Sequence, residues 1–205
     1  MGRPDRPTYT PAVTDRDHDL AAMRDHPVGP RRARVRYIAR TAVPTVLATH
    51  AVVAVLYFWV VPAPDGMAQL AARIALALRC SAVAVLPYFA VCLVVLVRRL
   101  AEGSHDPLAG AESRVLQVDR RVMQNTLEQL VAFVPAILAL ATMLAPAQMR
   151  LLPIVTGAFV VARLVYWWGY HRSGTLGRAP GVQMTFALTA PLVFGAGVLA
   201  LARAL

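Results

Sequence analysis

Charged residues are scarce in this chain, and lysine is missing altogether. Aspartate, glutamate, lysine and arginine make up 16% of the 205 residues, whereas average protein chains carry about 25%. Hydrophobic residues make up 58%, so a soluble protein of this length would lack the polar groups needed to cover its surface. The composition excludes an ordinary soluble domain and indicates an integral membrane protein.

Cysteine is also rare, and the motifs of common catalytic sites are missing. The two cysteines, Cys80 and Cys92, fall on different faces of one apolar helix, which excludes a disulfide between them. No set of His, Cys and Glu has metal-ligand spacing, so no metal is predicted. No phosphate loop or dinucleotide fingerprint occurs. The basic residues match no nucleic-acid-binding motif, so no nucleic-acid partner is predicted.

The distribution of the basic residues along the chain predicts a membrane topology. All 21 are arginine, and nine of them lie within residues 3–40. Others lie in the predicted loops at 98–121 and 171–178. Because arginine accumulates on the cytoplasmic side of membrane proteins, the N-terminus and these two loops are predicted to be cytoplasmic. Five spans then place the C-terminus on the opposite side of the membrane.

Apolar segments divide the chain into three parts. Residues 1–36 are rich in proline, aspartate and arginine, which predicts a disordered basic cytoplasmic tail. An N-terminal transmembrane helix is predicted over 37–62, because 41–64 contains no charged residue. Four further helices are predicted over 67–205, each long enough to cross a hydrocarbon core that takes about 20 residues. The predicted fold is therefore all-α, an integral membrane bundle of five transmembrane helices.

Polar residues form a stripe on the third of these spans. Arg121, Asn125 and Glu128 are spaced i, i+4 and i+7, so they share one face of the helix. The set suits a small zwitterion, since an arginine fork binds a carboxylate and a glutamate accepts from an ammonium group. Intramembrane charges often mark functional sites. Ion pairing that only holds the bundle together explains the stripe equally well, and both explanations stay open here.

The next span carries a second polar face. Arg163, Tyr166 and Tyr170 are spaced i, i+3 and i+7. Arg163 lies about two turns inside the predicted helix end and needs a partner, for which Glu128 is the predicted residue. Taken alone, the tyrosines are typical of the aromatic belt at a membrane surface, as are the two tryptophans between them. The charged face on the preceding helix favours a shared site instead.

The two motifs in this order resemble the MAPEG superfamily, the membrane-associated proteins of eicosanoid and glutathione metabolism. The residues that carry the resemblance are Arg-x-x-x-Asn-x-x-Glu at 121–128 and Ala-Arg-Leu-Val-Tyr-Trp-Trp-Gly-Tyr at 162–170. The similar region covers about 67–205. The resemblance implies a homotrimer of four-helix bundles, in contact with membrane lipids, with glutathione as co-substrate bound between subunits near the cytoplasmic face. It also implies a lipophilic small molecule as the second substrate.

The resemblance also implies which residues form the site. The implied glutathione-binding residues are Arg121, Asn125, Glu128, Arg163, Tyr166, Tyr170, Arg98, Arg99 and Arg172. Arg178 is the only match for the arginine that activates the thiol, which makes it the implied catalytic residue. Taken alone, Arg178 is more typical of a basic anchor on the cytoplasmic side of a span.

Three features depart from the family's pattern. Arg178 lies one position from its expected place, Gln129 stands where leukotriene-forming members carry tyrosine, and the helix at 37–62 is an addition that resembles mattrin-like members. The first two departures weaken the case for catalysis. Two functions therefore stay open. One is a glutathione transferase or peroxidase that acts on lipophilic electrophiles through an arginine-stabilised thiolate; the other is a non-enzymatic scaffold that binds lipid or a protein partner.

Overall fold

The computed structural model describes residues 31–103 and 112–204, which consist mainly of long apolar helices. The helices are α1 (Arg31–Val55), α2 (Leu70–Glu102), α3 (Arg114–Met143), α4 (Leu151–Gly177) and α5 (Ala179–Ala204). A π-helical turn (Leu56–Val60) follows α1, and a 3-10 turn (Pro146–Arg150) precedes α4. These segments supply five helices long and apolar enough to cross a membrane. The chain is an all-α, multi-pass integral membrane protein, as its composition predicted.

The first helix begins earlier than the sequence pattern predicted. The chain divides after Arg36 into two units, and α1 already begins at Arg31. The prediction of disorder is therefore wrong for 31–36, which are helical. Arginine has nearly the helix propensity of alanine, so an arginine-rich stretch can extend a helix beyond its apolar part. The remainder of the predicted tail, 1–30, lies outside the described residues.

The four helices α2 to α5 pack around an apolar core. Phe133 of α3 stacks on Phe159 of α4 with ring centroids 4.3 Å apart, and both side chains are fully buried. Ala77 of α2 is also fully buried in this core, and small residues of this kind let membrane helices approach closely. Cys80 and Cys92 are both free thiols. The core fixes the helices against one another, so polar groups near their ends have defined neighbours.

The two ends of the bundle differ. We call the end at which α2 stops and α3 begins the proximal end, and the opposite end the distal end. At the distal end, Arg73 Nη1 donates to the Leu144 carbonyl at 2.9 Å, and Arg203 Nη2 donates to the Met143 carbonyl at 2.6 Å. The last carbonyls of a helix have no partner within the helix, and its dipole favours cations there. These arginines therefore stabilise the distal end of α3.

A break in α4 lies near the proximal end, in the segment predicted as a loop at 171–178. Ser173 (φ −142°) and Gly174 (φ 57°) leave the helical conformation, yet the helix resumes and reaches Gly177. The positive φ of Gly174 is one that glycine adopts without steric cost. The break brings the backbone of Gly177 against that of Gly169, where a Cβ on either glycine would overlap the carbonyl of the other. The chain therefore returns toward α4 just before Arg178.

The added helix α1 and the π-helical turn that follows it both contact other parts of the described chain. Near the proximal end, Gln183 Nε2 of α5 donates to the Ile38 carbonyl and to Thr41 Oγ1, both at 3.0 Å. Near the distal end, the Arg150 guanidinium lies 4.4 Å from the ring centroid of Tyr57. Between these contacts, a cleft of about 790 Å³ separates α1 from α4.

Candidate functional site

Arg163 is the most buried charge on α4, with 1% of its surface exposed. Its Nη2 donates to Asn125 Oδ1 of α3 at 3.0 Å, and its Nη1 donates to Thr185 Oγ1 of α5 at 3.2 Å. The guanidinium also lies 4.3 Å from the ring centroid of Tyr166. Its Nε has no hydrogen-bond partner among residues 31–103 and 112–204. One buried cation thus bridges three helices and keeps one donor unused.

The predicted ion pair between Arg163 and Glu128 is wrong. Glu128 Oε1 accepts from Gln124 Nε2 at 3.1 Å, and its Oε2 lies 3.5 Å from Asn125 Nδ2. Glu128 is exposed, whereas Arg163 is buried. Among the residues of the stripe, Asn125 is the one whose side chain contacts α4. Its amide oxygen accepts from Arg163, whereas the carboxylate of Glu128 had been predicted to do so. Arg163 is therefore held by neutral oxygens, and Glu128 stays on the outer surface of α3.

Two tyrosines and Arg178 continue from Arg163 toward the proximal end. Tyr166 is 1% exposed, and its ring lies edge-on to that of Tyr170 with centroids 5.9 Å apart. Arg178 lies 4.8 Å from the Tyr170 ring centroid, and its Nη1 donates to Tyr166 Oη at 3.4 Å. Cations are attracted to aromatic ring faces at such distances. We call Arg163, Tyr166, Tyr170 and Arg178 the arginine–tyrosine ladder.

Gly181 lets α5 approach the ladder closely. A Cβ at Gly181 would overlap the backbone of Tyr166, so the two helices touch backbone to backbone at this level. Arg178 precedes Gly181 by three positions, less than one helical turn. The close approach therefore positions the Arg178 side chain beside the tyrosine rings.

We expect Gly181→Ala to destabilise the protein by about 1 to 3 kcal/mol, because a methyl group against the Tyr166 backbone overpacks the contact between α4 and α5. The melting temperature in detergent measures the effect. Gly195→Ala on the same helix is the matched control, since a Cβ there meets no atom within 4 Å. Equal melting temperatures for the two variants would contradict the close approach of α5 to α4.

Asp119 is the site neighbour that the sequence pattern did not reveal. Its carboxylate is fully buried, and Oδ2 lies 2.8 Å from Nε of the predicted site residue Arg98. Oδ1 accepts from Trp167 Nε1 at 2.8 Å and from His171 Nε2 at 2.6 Å. Trp167 was predicted as a belt residue, but its indole points inward to this carboxylate. Asp119 therefore ties α2, α3 and α4 together at the proximal end.

Glu112 forms a second ion-pair group at the same end. Its Oε1 lies 3.2 Å from Arg99 Nη2, and its Oε2 lies 2.6 Å from Arg120 Nη1. The hydrogen bond from the Arg120 guanidinium holds the pKa of the Glu112 carboxyl below its ordinary value. This carboxylate is therefore ionised at neutral pH and balances Arg99, another residue of the predicted set.

The structure brings together only part of the predicted site. Arg121 is exposed one turn before Asn125, the α3 residue that accepts from Arg163. Arg172 is also exposed, and its guanidinium lies 5.1 Å from the ring centroid of Trp168. Arg98 and Arg99 lie in the ion pairs just described. The predicted residues that lie in contact with one another are Asn125, Glu128, Arg163, Tyr166, Tyr170 and Arg178.

The fold and this site define a multi-pass helical membrane protein with a cationic, tyrosine-lined site inside one end of its bundle. The sequence profile of the MAPEG family matches residues 76–198, which is more than half of the chain and includes both polar motifs. The chain therefore belongs to the MAPEG family, and α1 precedes the matched region. No curated protein and no solved structure gave a match to the chain.

Proposed function

We propose that this protein binds glutathione at the ladder and uses it on lipophilic electrophiles, as a transferase or a peroxidase. The observation that carries the proposal is the environment of Arg163, whose Nε has no partner within the described ranges and whose other donors meet only neutral oxygens. A buried charge without a counter-charge costs several kcal/mol, and membrane proteins retain such charges mainly at functional sites. A bound carboxylate would supply the missing anion.

The donor set around the ladder suits glutathione, which has two carboxylates, one ammonium group, two amides and a thiol. The exposed Arg121 offers a planar fork that matches a carboxylate, and Arg163 offers its Nε, which has no partner within the described ranges. Glu128 accepts from an ammonium group, and Asn125 can both donate to and accept from a peptide amide. Arg178 lies at the other end of the ladder, where it can reach the thiol.

Arg178 is the residue that we propose activates the thiol. A free thiol titrates near pH 8.5, so the thiolate is a minor species at neutral pH. A guanidinium beside the sulfur favours the charged form, and lowering the thiol pKa by two units needs about 2.7 kcal/mol. Arg178 would hold the negative charge on the sulfur until the sulfur bonds to an electrophilic carbon and the leaving group departs. The Tyr166 hydroxyl, 3.4 Å from Arg178 Nη1, orients the guanidinium.

We also propose a homotrimer whose proximal end faces the cytoplasm. Glu128 is exposed on a helix that is apolar enough to span the membrane, and a carboxylate facing acyl chains costs roughly 3 kcal/mol. A neighbouring subunit would cover it and share the ligand with the ladder. The orientation rests on arginine, since the loop at 98–121 carries five arginines and arginine accumulates in cytoplasmic loops. The C-terminus would then lie on the opposite side.

A non-enzymatic scaffold that binds lipid or a protein partner is the second candidate function. The ion pairs of Arg98 with Asp119 and of Arg99 with Glu112 favour the scaffold. Both arginines were predicted to bind glutathione, but they are already paired with carboxylates of the protein. A scaffold of this kind would keep the same bundle without binding the peptide. Binding of glutathione therefore separates the two functions.

Thermal unfolding in detergent, with and without glutathione, tests the proposal. Ligand at 100 times its Kd stabilises a protein by about 2.7 kcal/mol, so we expect glutathione to raise the melting temperature of the unmodified protein. We expect a much smaller rise in Arg163→Met, because that variant lacks the buried cation. Arg114→Ala, which removes an exposed arginine at the start of α3, should behave like the unmodified protein.

Each contrary outcome of this experiment has a defined meaning. No rise in the unmodified protein would contradict glutathione binding and favour the scaffold. An equal rise in the unmodified protein and Arg163→Met would show that glutathione binds away from the ladder. Melting temperatures without glutathione report any loss of stability in the variants, so that loss is subtracted before the shifts are compared.

A further inference from the structure

The cleft between α1 and the bundle is large, long and apolar. Its volume is about 790 Å³, and its walls come from residues 44–61 on one side, residues 153–161 of α4 on the other, and Met184 of α5. The α4 wall, residues 153–161, spans about 12 Å at the α-helical rise per residue. The cleft therefore extends along a substantial part of a hydrocarbon core that is about 30 Å thick.

Neither an empty void nor water accounts for this cleft. Protein interiors hold few voids larger than a water molecule, whereas ligand sites range from about 300 to 1,000 Å³. A buried water needs at least two polar partners. The polar side chains in the lining are Thr45 and Thr49, and the Thr49 hydroxyl already donates to the Thr45 carbonyl at 2.7 Å. The surface of the cleft thus selects an apolar occupant.

Small residues on both walls keep the cleft open. Ala48 lines the α1 side, and Gly157 and Ala158 line the α4 side. A Cβ at Gly157 would meet no atom within 4 Å, so a larger side chain there would enter the cleft. The contacts of Ile38 and Thr41 with Gln183, and of Tyr57 with Arg150, attach this segment to the rest of the described chain. The space is therefore a gap between two anchored helices and not a local packing defect.

We infer that this cleft binds one acyl chain of a bilayer phospholipid. The walls belong to membrane-spanning helices, so bilayer hydrocarbon is what surrounds the opening. The lining follows two neighbouring helices, so the space fits a linear chain better than a compact ring system. Arg40 is exposed one turn before Pro44, on the same face of α1, where it can attract an anionic head group. The cleft lining shares no residue with the ladder, so lipid binding here does not depend on glutathione binding.

Photo-cross-linking in vesicles tests this inference on the full chain. The protein is reconstituted in phosphatidylglycerol vesicles that contain a small fraction of a phospholipid with a photoreactive diazirine midway along one acyl chain, and adducts are mapped by mass spectrometry of peptides. We expect a several-fold higher adduct yield on residues 44–61 and 153–161 than on residues 193–198 of α5. Val193, Phe194 and Val198 of that segment are exposed and report labelling by bulk lipid.

A matched pair of variants isolates the cleft. Gly157→Phe fills it and is expected to lower the adduct yield several-fold, with Ala158→Leu acting in the same direction. Gly197→Phe is the control, because a Cβ at Gly197 also meets no atom within 4 Å but the residue lies outside the cleft lining. Only protein that elutes as a folded species in size-exclusion chromatography is compared.

Three results would overturn the inference. The first is equal labelling of the cleft and of residues 193–198 in the unmodified protein. The second is an adduct yield in Gly157→Phe and Ala158→Leu equal to that in Gly197→Phe. The third is cross-linking between two copies of the chain through residues 44–61 and 153–161, which would assign the cleft to a second subunit instead of lipid. Glutathione binding is measured in the same variants. If it is retained while lipid labelling fails, the lipid inference is overturned and the proposed glutathione function is not.

Discussion

Replacing Asp119 with asparagine is expected to destabilise the protein by about 1.5 to 3 kcal/mol, because a fully buried carboxylate loses its charge-assisted hydrogen bonds. The two oxygens of Asp119 are the shared partners of Arg98, Trp167 and His171. An amide would bring donor hydrogens against groups that are themselves donors. For a chain of this length, the loss corresponds to a fall in melting temperature of roughly 6 °C. Circular dichroism during thermal unfolding in detergent measures it.

Asp65→Asn is the control for this prediction. Asp65 is exposed in the turn that follows α1, so its removal should leave the melting temperature nearly unchanged. A similar small effect for Asp119→Asn would show that the proximal ion pairs contribute no more than surface salt bridges, which are worth about 0 to 1 kcal/mol. That result would contradict the role of Asp119 in tying three helices together.

Arg178→Ala is expected to reduce the thiolate to a minor species at neutral pH while glutathione still binds. Arg178 is the cation at the thiol end of the ladder, and its guanidinium is aimed by Tyr166 and Tyr170. The ultraviolet absorbance of the thiolate, followed across a pH titration, measures this directly. We expect the bound thiol of the unmodified protein to titrate about two units below the ordinary value near 8.5. In Arg178→Ala it should titrate close to that ordinary value.

Two further variants sharpen the test of Arg178. Arg178→Lys keeps the charge but loses the planar fork, so an intermediate thiol pKa is expected. Arg114→Ala removes an exposed arginine distant in sequence from the ladder and should titrate like the unmodified protein. If Arg178→Ala retains the lowered thiol pKa, Arg178 is only a basic anchor at the start of α5, and another residue activates the thiol.

The spans and their polar faces could be predicted from the sequence because the bilayer and the helix period determine them. A span must be apolar over a fixed length, and residues at i, i+4 and i+7 must share a face. The pairing between faces could not be predicted. Arg163 meets Asn125 and Thr185 instead of Glu128, because its neighbours depend on how closely α5 packs at Gly181. A hydrophobic pattern carries no information about that distance.

Two glycines show that the backbone conformation, too, could not be predicted from the sequence pattern. Gly103 (φ 64°) ends α2, whereas Gly174 (φ 57°) only interrupts α4, which continues to Gly177. The two glycines share a positive φ but differ in ψ, which is 15° at Gly103 and −135° at Gly174. The conformation at Gly174 accompanies the contact between Gly169 and Gly177, which forms only when the chain folds back on itself. That contact places Arg178 beside the tyrosines. The family resemblance suggested a role for Arg178, but helical periodicity alone could not predict its position.

A cryo-electron microscopy map of the protein in lipid nanodiscs with glutathione present at saturation tests the central claim most directly. We predict tripeptide density against Asn125 and Arg163 Nε, with the sulfur near Arg178 and Glu128 close to the ammonium group. A second copy of the chain should close the outer side of this density. An empty ladder under these conditions, or glutathione density elsewhere on the protein, would contradict the proposed site.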